Sequence, residues 1–329
     1  MPRKPMSRTR NNGNVAKGTG KIPQAAPRMA VEIAGVHFKN PVLTASGTFG
    51  YGLEFANLMD LGSIGGIVVK GISVKEIKGN PPPRIYETPS GMLNAIGWQN
   101  IGLAEFVSKK LPALRKYDTN IIVNVVGFDV PEYLYVIRYL NDCPGIAALE
   151  LNISCPNVRK GGFHFNMDPR DTFAITEQAK KASAHLPLWV KLSPNVTDIR
   201  EFARACEDAG ADAISLVNTL VGMAIDIEKR RPRLNFITGG LSGPAIKPIA
   251  LRLVWEACKV VRIPVIGIGG ISSPEDALEY LIAGARAVQI GTANFYRPNA
   301  SEQIALGLQQ YCRKQGIEDI NELIGTLRT

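Results

Sequence analysis

The stretch Leu151-Asn152-Ile153-Ser154-Cys155-Pro156-Asn157 organises the reading of this chain. Residues 147–153 read as a buried strand. The chain leaves it at Pro156, because proline has no N–H to give a sheet ladder. The break sets a thiol, Cys155, among the amides of Asn152 and Asn157, just past the strand's C-terminal end. Strand ends of this kind are where α/β proteins carry their chemistry. A thiol whose ordinary pKa is ~8.5 becomes a base when its surroundings lower that value. Amides can hold a planar, polar substrate through their carbonyl and N–H edges. Taken alone, the same residues also suit a half-buried structural cysteine.

Working outward, short β-rich runs alternate with helical stretches from residue 29 onward, the pattern of a parallel sheet. The candidate strands are 41–45, 65–69, 121–125, 147–153, 188–192, 213–217, 265–268 and 287–290. Helices fit between most of them, at 131–141, 171–184, 197–209, 244–260 and 274–283, several opening on proline or an Asp, Ser or Thr cap. Eight such units make a (β/α)8 TIM barrel the economical fold. Residues 31–33 and 36–38, joined at Ala34-Gly35, read as an N-terminal β-hairpin plugging the N-terminal end of the barrel.

All eight strands finish in polar or glycine residues: Ser46-Gly47, Lys70-Gly71, Asn124 to Gly127, Asn152 to Asn157, Lys191, Asn218-Thr219, Gly269-Gly270 and Gly291-Thr292. In a barrel these ends meet at one mouth, so they predict a single shared site. Glycines after strands seven and eight suit a phosphate, because backbone N–H groups can approach the anion there. Gly239-Gly240-Leu241-Ser242-Gly243 adds a third glycine-rich turn. Gly267-Ile268-Gly269-Gly270 is no dinucleotide fingerprint, since Ser272 stands where the last glycine belongs. Two inserts, around residues 80–100 and 220–243, exceed ordinary loop length and are placed to contact ligand.

The net charge of +9 belongs mostly to one end. Residues 1–28 hold Arg3, Lys4, Arg8, Arg10, Lys17, Lys21 and Arg28 and no acid, leaving 31 basic against 29 acidic residues elsewhere. The expectation is a disordered basic tail over 1–28 and one catalytic barrel over 29–329. The nearly neutral body speaks against a nucleic-acid partner. No apolar run approaches the ~20 residues of a membrane span. Five scattered cysteines without close pairs argue against a disulfide scaffold, a zinc site or an iron–sulfur cluster, so no metal is expected and a reducing cytoplasm is the default.

Several motifs together resemble one family. They are ASGTFG at 45–50, NPPPR at 80–84, GMLNAIGWQN at 91–100, LNISCPNV at 151–158, VKLSPNVTD at 190–198, NTLVGM at 218–223, GGLSGPA at 239–245 and GTANF at 291–295. From about residue 29 to near the C-terminus the chain resembles a dihydroorotate dehydrogenase of class 1, subclass 1B. Cys155 points to class 1, because the membrane-bound class 2 enzymes use serine. The resemblance implies oxidation of dihydroorotate to orotate in pyrimidine biosynthesis, with Cys155 taking the C5 proton and FMN taking the C6 hydride. It implies FMN contacts from Ser46, Lys70, Gly71, Asn124, Asn152, Lys191, Val217, Gly243, Gly269, Gly270, Gly291 and Thr292. It implies substrate contacts from Lys70, Asn94, Ala95, Ile96, Gly97, Trp98, Asn152, Asn218 and Thr219. A partner subunit carrying FAD and an iron–sulfur cluster would pass the electrons to NAD, in a heterotetramer with two of each chain. Trp98 departs from the leucine expected in this family, and the basic tail departs altogether. Competing readings are an FMN-dependent dihydropyrimidine or dihydrouridine oxidoreductase, a Schiff-base aldolase using Lys191, and a binding module led by the tail.

Overall fold

The computed structural model describes residues 26–154 and 168–328, together with Met1. Eight parallel strands close into a barrel in chain order: Val42–Thr44, Gly66–Ile72, Asn120–Val125, Ala148–Asn152, Leu188–Lys191, Ala213–Leu216, Val265–Ile268 and Ala287–Ile290. Closure is made where the eighth strand pairs with the first, Val288 opposite Val42. Nearly every residue of these strands is buried. That is why they read as apolar runs rather than alternating ones: helices cover one face and the barrel interior the other. Each coincides with a run expected from the sequence.

The covering helices begin where local chemistry starts them. Asp129 accepts the Glu132 N–H at 2.9 Å ahead of Val130–Asn141. Asp168 and Asp198 cap Pro169–Ala182 and Ile199–Asp208 in the same manner. Ser273 and Asp276 cap Pro274–Ile282 reciprocally. Such caps satisfy N–H groups that a helix start leaves without partners. The 244–260 stretch divides into a 3-10 turn, Pro244–Ile246, and the helix Lys247–Cys258. The first unit lacks a full helix. Between strands one and two the chain makes two 3-10 turns, Leu53–Phe55 and Leu61–Ser63. Gly47, Gly50 and Gly52 all take positive φ there, and Phe49 stacks on Phe55 at 3.9 Å.

Val31–Ile33 and Val36–Phe38 form the expected hairpin. Its two-residue turn needs positive φ at both central positions, and Ala34 and Gly35 supply 53° and 78°. It covers the N-terminal end of the barrel. Phe38 is fully buried 6.0 Å from the ring of Trp189 on strand five, and Asn120, at the start of strand three, donates to the His37 carbonyl.

The two long inserts are not separate. Ile85–Thr88 and Gly91–Asn94 of the first pair with Gly239–Ser242 and Leu220–Gly222 of the second, forming one four-stranded antiparallel sheet. Leu93 faces Leu241 and Asn94 faces Gly240 across it.

Arg28, the last residue of the expected tail, belongs to the body. Its N–H reaches the Glu318 carbonyl, its carbonyl accepts from Ile320, and its guanidinium pairs with Asp319 at 3.5 Å. Residues 2–25 of that expected tail lie outside the described residues. Among the described residues no helix is long and apolar enough to cross a membrane.

Because the hairpin packs at the end of the barrel away from the glycine-rich strand exits, Phe38→Ala should lower stability without touching the chemistry. Truncation of a buried phenylalanine costs ~3–5 kcal/mol. Denaturant unfolding should show that loss while any bound flavin keeps its visible spectrum.

Candidate active site

The strand exits do converge. A cavity of about 530 Å³, open mouth included, is lined at the C-terminal ends by Ala45, Ser46, Lys191, Val217, Asn218, Thr219, Gly243, Gly269, Gly270, Gly291 and Thr292, among others. Ten of the residues singled out from the sequence are thus brought onto one wall. Lys70, Gly71, Asn124, Asn152 and the loop at residues 94–98 lie outside that lining.

The glycines make a cradle. Gly243, Gly269 and Gly270 have φ of 95°, 132° and 69°. A Cβ on Gly270 would meet Lys247 at 2.7 Å and the Gly243 carbonyl at 2.9 Å. Among the described residues none accepts from the N–H groups of Gly270, Gly291 or Thr292. Thr292 Oγ1 is 2.7 Å from Ser242 Oγ, and the Tyr280 hydroxyl donates to the Gly269 carbonyl at 2.6 Å, holding the turn after strand seven from behind. Backbone donors left over in a glycine-lined recess fit a phosphate group such as that of FMN.

Lys191 is 4% exposed, and its ammonium reaches Ser46 Oγ at 3.1 Å and Glu150 Oε1 at 3.9 Å. Glu150, fully buried on strand four, also accepts from Asn124 at 2.7 Å, Ser215 at 2.8 Å and Gln289 at 2.7 Å. Asn124, expected from the sequence at the cofactor, thus also donates to this carboxylate. Its Oδ1 accepts from Asn152 at 3.3 Å, Ser154 Oγ donates to Asn152 Oδ1 at 2.6 Å, and Asn218 donates to Ser154 Oγ. A polar chain thus runs from the barrel axis to the cavity wall at Asn218.

Lys70 and Gly71 sit where the pairing of strand two with strand three shifts register, between Val69 and Ile72. An irregularity of this sort re-aims a side chain. Burial pushes the Lys70 ammonium below its usual pKa, the charge of Arg84 pushes the same way, and Glu54 opposes them. A cation in that condition gains from an incoming anion.

The inserts bring their own polar groups. Asn94 donates to the Gly240 carbonyl at 3.3 Å, and Thr219 packs so closely on Gly240 that no Cβ would fit between them. Trp98 turns through positive φ and sets its ring 5.6 Å from Phe128, beyond strand three. Asn100 pins the loop: it donates to the Trp98 carbonyl and accepts from Gly102 N–H and Ser73 Oγ. Asn195 likewise braces the start of the second insert through the Thr219 carbonyl and the Val221 N–H.

Cys155 lies outside the described residues. Glu150, Ser215, Gln289, Asn100 and Asn195 were not singled out from the sequence. A signal existed for the first three: each is a polar residue inside an otherwise apolar buried strand, which requires a partner.

The fold and cavity define a TIM-barrel protein with a glycine-lined recess at its C-terminal mouth that fits a phosphate group, and a buried lysine in the wall. The profile of the dihydroorotate dehydrogenase family matches residues 28–311. Curated relatives include proteins of Geotalea uraniireducens, 55% identical over 92% of this chain and 99% of theirs, and of Geobacter metallireducens, 56% identical over the same shares. Another, from a Thermoanaerobacter species, is 54% identical over 91% of this chain and 99% of its own. All three are named dihydroorotate dehydrogenase B (NAD(+)), catalytic subunit. The chain belongs to the dihydroorotate dehydrogenase family.

If the glycine cradle holds the FMN phosphate, a methyl group at its centre should loosen it. Gly270→Ala places a side chain at positive φ, which costs ~1–2 kcal/mol, and pushes into Lys247 and Gly243. Titration of the apoprotein with FMN, followed by flavin fluorescence, should show affinity weakened about tenfold or more (~1.4 kcal/mol), with the far-UV spectrum unchanged.

Proposed function

We propose that this chain oxidises dihydroorotate to orotate with Cys155 as the base and FMN in the glycine-lined cavity. The observation that carries the reading is the buried Lys191 in the wall of that cavity, in a chain of this family. Ser46, Lys191 and Val217 would hold the ring system, and Gly243, Gly269, Gly270, Gly291 and Thr292 the phosphate. When bound, FMN supplies the acceptor for the two electrons and the hydrogen leaving C6 of the substrate.

The remaining work falls to side chains. Lys191 sets a positive charge where electron density accumulates, an effect that acts strongly in a water-poor site. Lys70 offsets the substrate carboxylate. Asn94, Asn152, Asn218 and Thr219 match its amide edges, with the backbone of Ala95, Ile96, Gly97 and Trp98 closing one side. The C5 proton passes to Cys155. Elimination supports this assignment: burial pushes the thiols of Cys206 and Cys258 up to about 12, and raises those of Cys143 and Cys312. None of these four lines the cavity.

The relatives' name, with its NAD(+) and its "catalytic subunit", supports a partner that carries the electrons onward. We take that partner to hold FAD and an iron–sulfur cluster, in a heterotetramer of two catalytic and two electron-transfer chains working in the cytoplasm. An apolar stripe of period two on the second insert, Val221, Met223, Ile225 and Ile227, each at least half exposed, supports assembly with other chains.

Two outcomes test these assignments. Cys155→Ala should keep its flavin while dihydroorotate reduces that flavin ~10²-fold more slowly; stopped-flow absorbance reads this, and near-normal reduction at neutral pH would remove Cys155 from the role. The purified chain by itself should pass electrons from dihydroorotate to an artificial dye but barely to NAD, and NAD reduction should appear when the partner subunit is added. Efficient NAD reduction by the isolated chain would refute the two-subunit route.

A further inference from the structure

Beneath the cavity lies an ionisable group that the reaction as proposed does not use. Glu150 is fully buried, and its polar partners among the described residues are donors: Asn124 on Oε1, Ser215 and Gln289 on Oε2, and the Lys191 ammonium 3.9 Å from Oε1. Of these residues only Lys191 lines the cavity. Its ammonium therefore stands between a carboxylate on the barrel side and the ligand on the other. A buried ion pair is weak evidence for stability, because an apolar replacement often folds as well. Its effect on the site is more direct.

We propose that Glu150 is a positioning residue for electron transfer: it is the counter-charge of Lys191, anchoring the ammonium at the cavity wall and offsetting part of the field that the ammonium exerts on the flavin. The inference rests on FMN occupying the cavity. A lone cation there would favour the electron-rich reduced flavin strongly. A carboxylate a few ångströms behind it exerts the opposite field, and in a dry interior neither charge is screened as it would be in water. The reduction potential is then set by the pair, not by the lysine alone.

The test is potentiometric titration of the flavin in the purified protein and in variants. Glu150→Gln is nearly isosteric. Gln289, whose Oε1 is buried without a partner among the described residues, can turn to accept from the new amide, and the Ser215 hydroxyl can accept as well as donate. Glu150→Gln should shift the oxidised–reduced equilibrium about tenfold toward reduced flavin, which is ~30 mV upward for a two-electron couple. Glu150→Asp keeps the charge while disturbing the packing, and should stay within about threefold of the parent. An unchanged or lower potential in Glu150→Gln overturns the proposal, as does an equal shift in both variants. If Glu150→Gln does not yield flavin-loaded protein, Lys191→Gln is compared with the Lys191→Gln, Glu150→Gln double variant. The double variant should have the higher potential, and equal potentials overturn the proposal. A parent protein that takes up no FMN defeats the cofactor reading itself, and this inference falls with it.

Discussion

The structure turns on one buried carboxylate. A charge inside a barrel must be met by donors, because its lost hydration is worth far more than any single contact. Glu150 draws those donors from strands three, five, six and eight, through Asn124, Lys191, Ser215 and Gln289. That requirement constrains register. Asn124 stands directly opposite Glu150 in the pairing of strands three and four, and Ser215 stands opposite Lys191 in that of strands five and six. A slip of one residue in any of these strands would turn its polar member out toward the helices.

Placing the charge network at this level leaves the mouth free for a different material. Above it the wall is mostly backbone: glycines with positive φ, N–H groups without acceptors among the described residues, and short hydroxyl side chains. Fixed charge below and adaptable backbone donors above suit a ligand with a polar ring at one end and a phosphate at the other. Lys191 belongs to both layers, since it pairs with Glu150 below and lines the cavity above.

The inserts extend the same logic outward. Strand ends alone would leave an open mouth. The four-stranded sheet built from both inserts carries Asn94 beside Gly240, and Gly240 against Thr219, which lines the cavity. Asn100 and Asn195 anchor the two inserts at their roots. The inserts are therefore tied by hydrogen bonds to residues just past the strand ends, Ser73 after strand two and Asn195 after strand five.

Much of this was legible in the order of residues. Apolar runs buried on both faces marked the eight strands, Asp and Ser caps marked the helix starts, and glycines marked the turns that need positive φ. These are local properties of the backbone, and a sequence displays them directly. Even Glu150 and Gln289 were visible as polar residues within apolar strands. Their partners were not, since Ser215 and Gln289 lie 65 and 139 residues from Glu150 along the chain. Nor could the sequence show that its two inserts pair, or that the Asn124 amide donates to a carboxylate. Barrel closure decides which side chains share the interior, and sheet register decides which of them stand opposite. Both arise from contacts between distant segments, so only the tertiary structure could settle them.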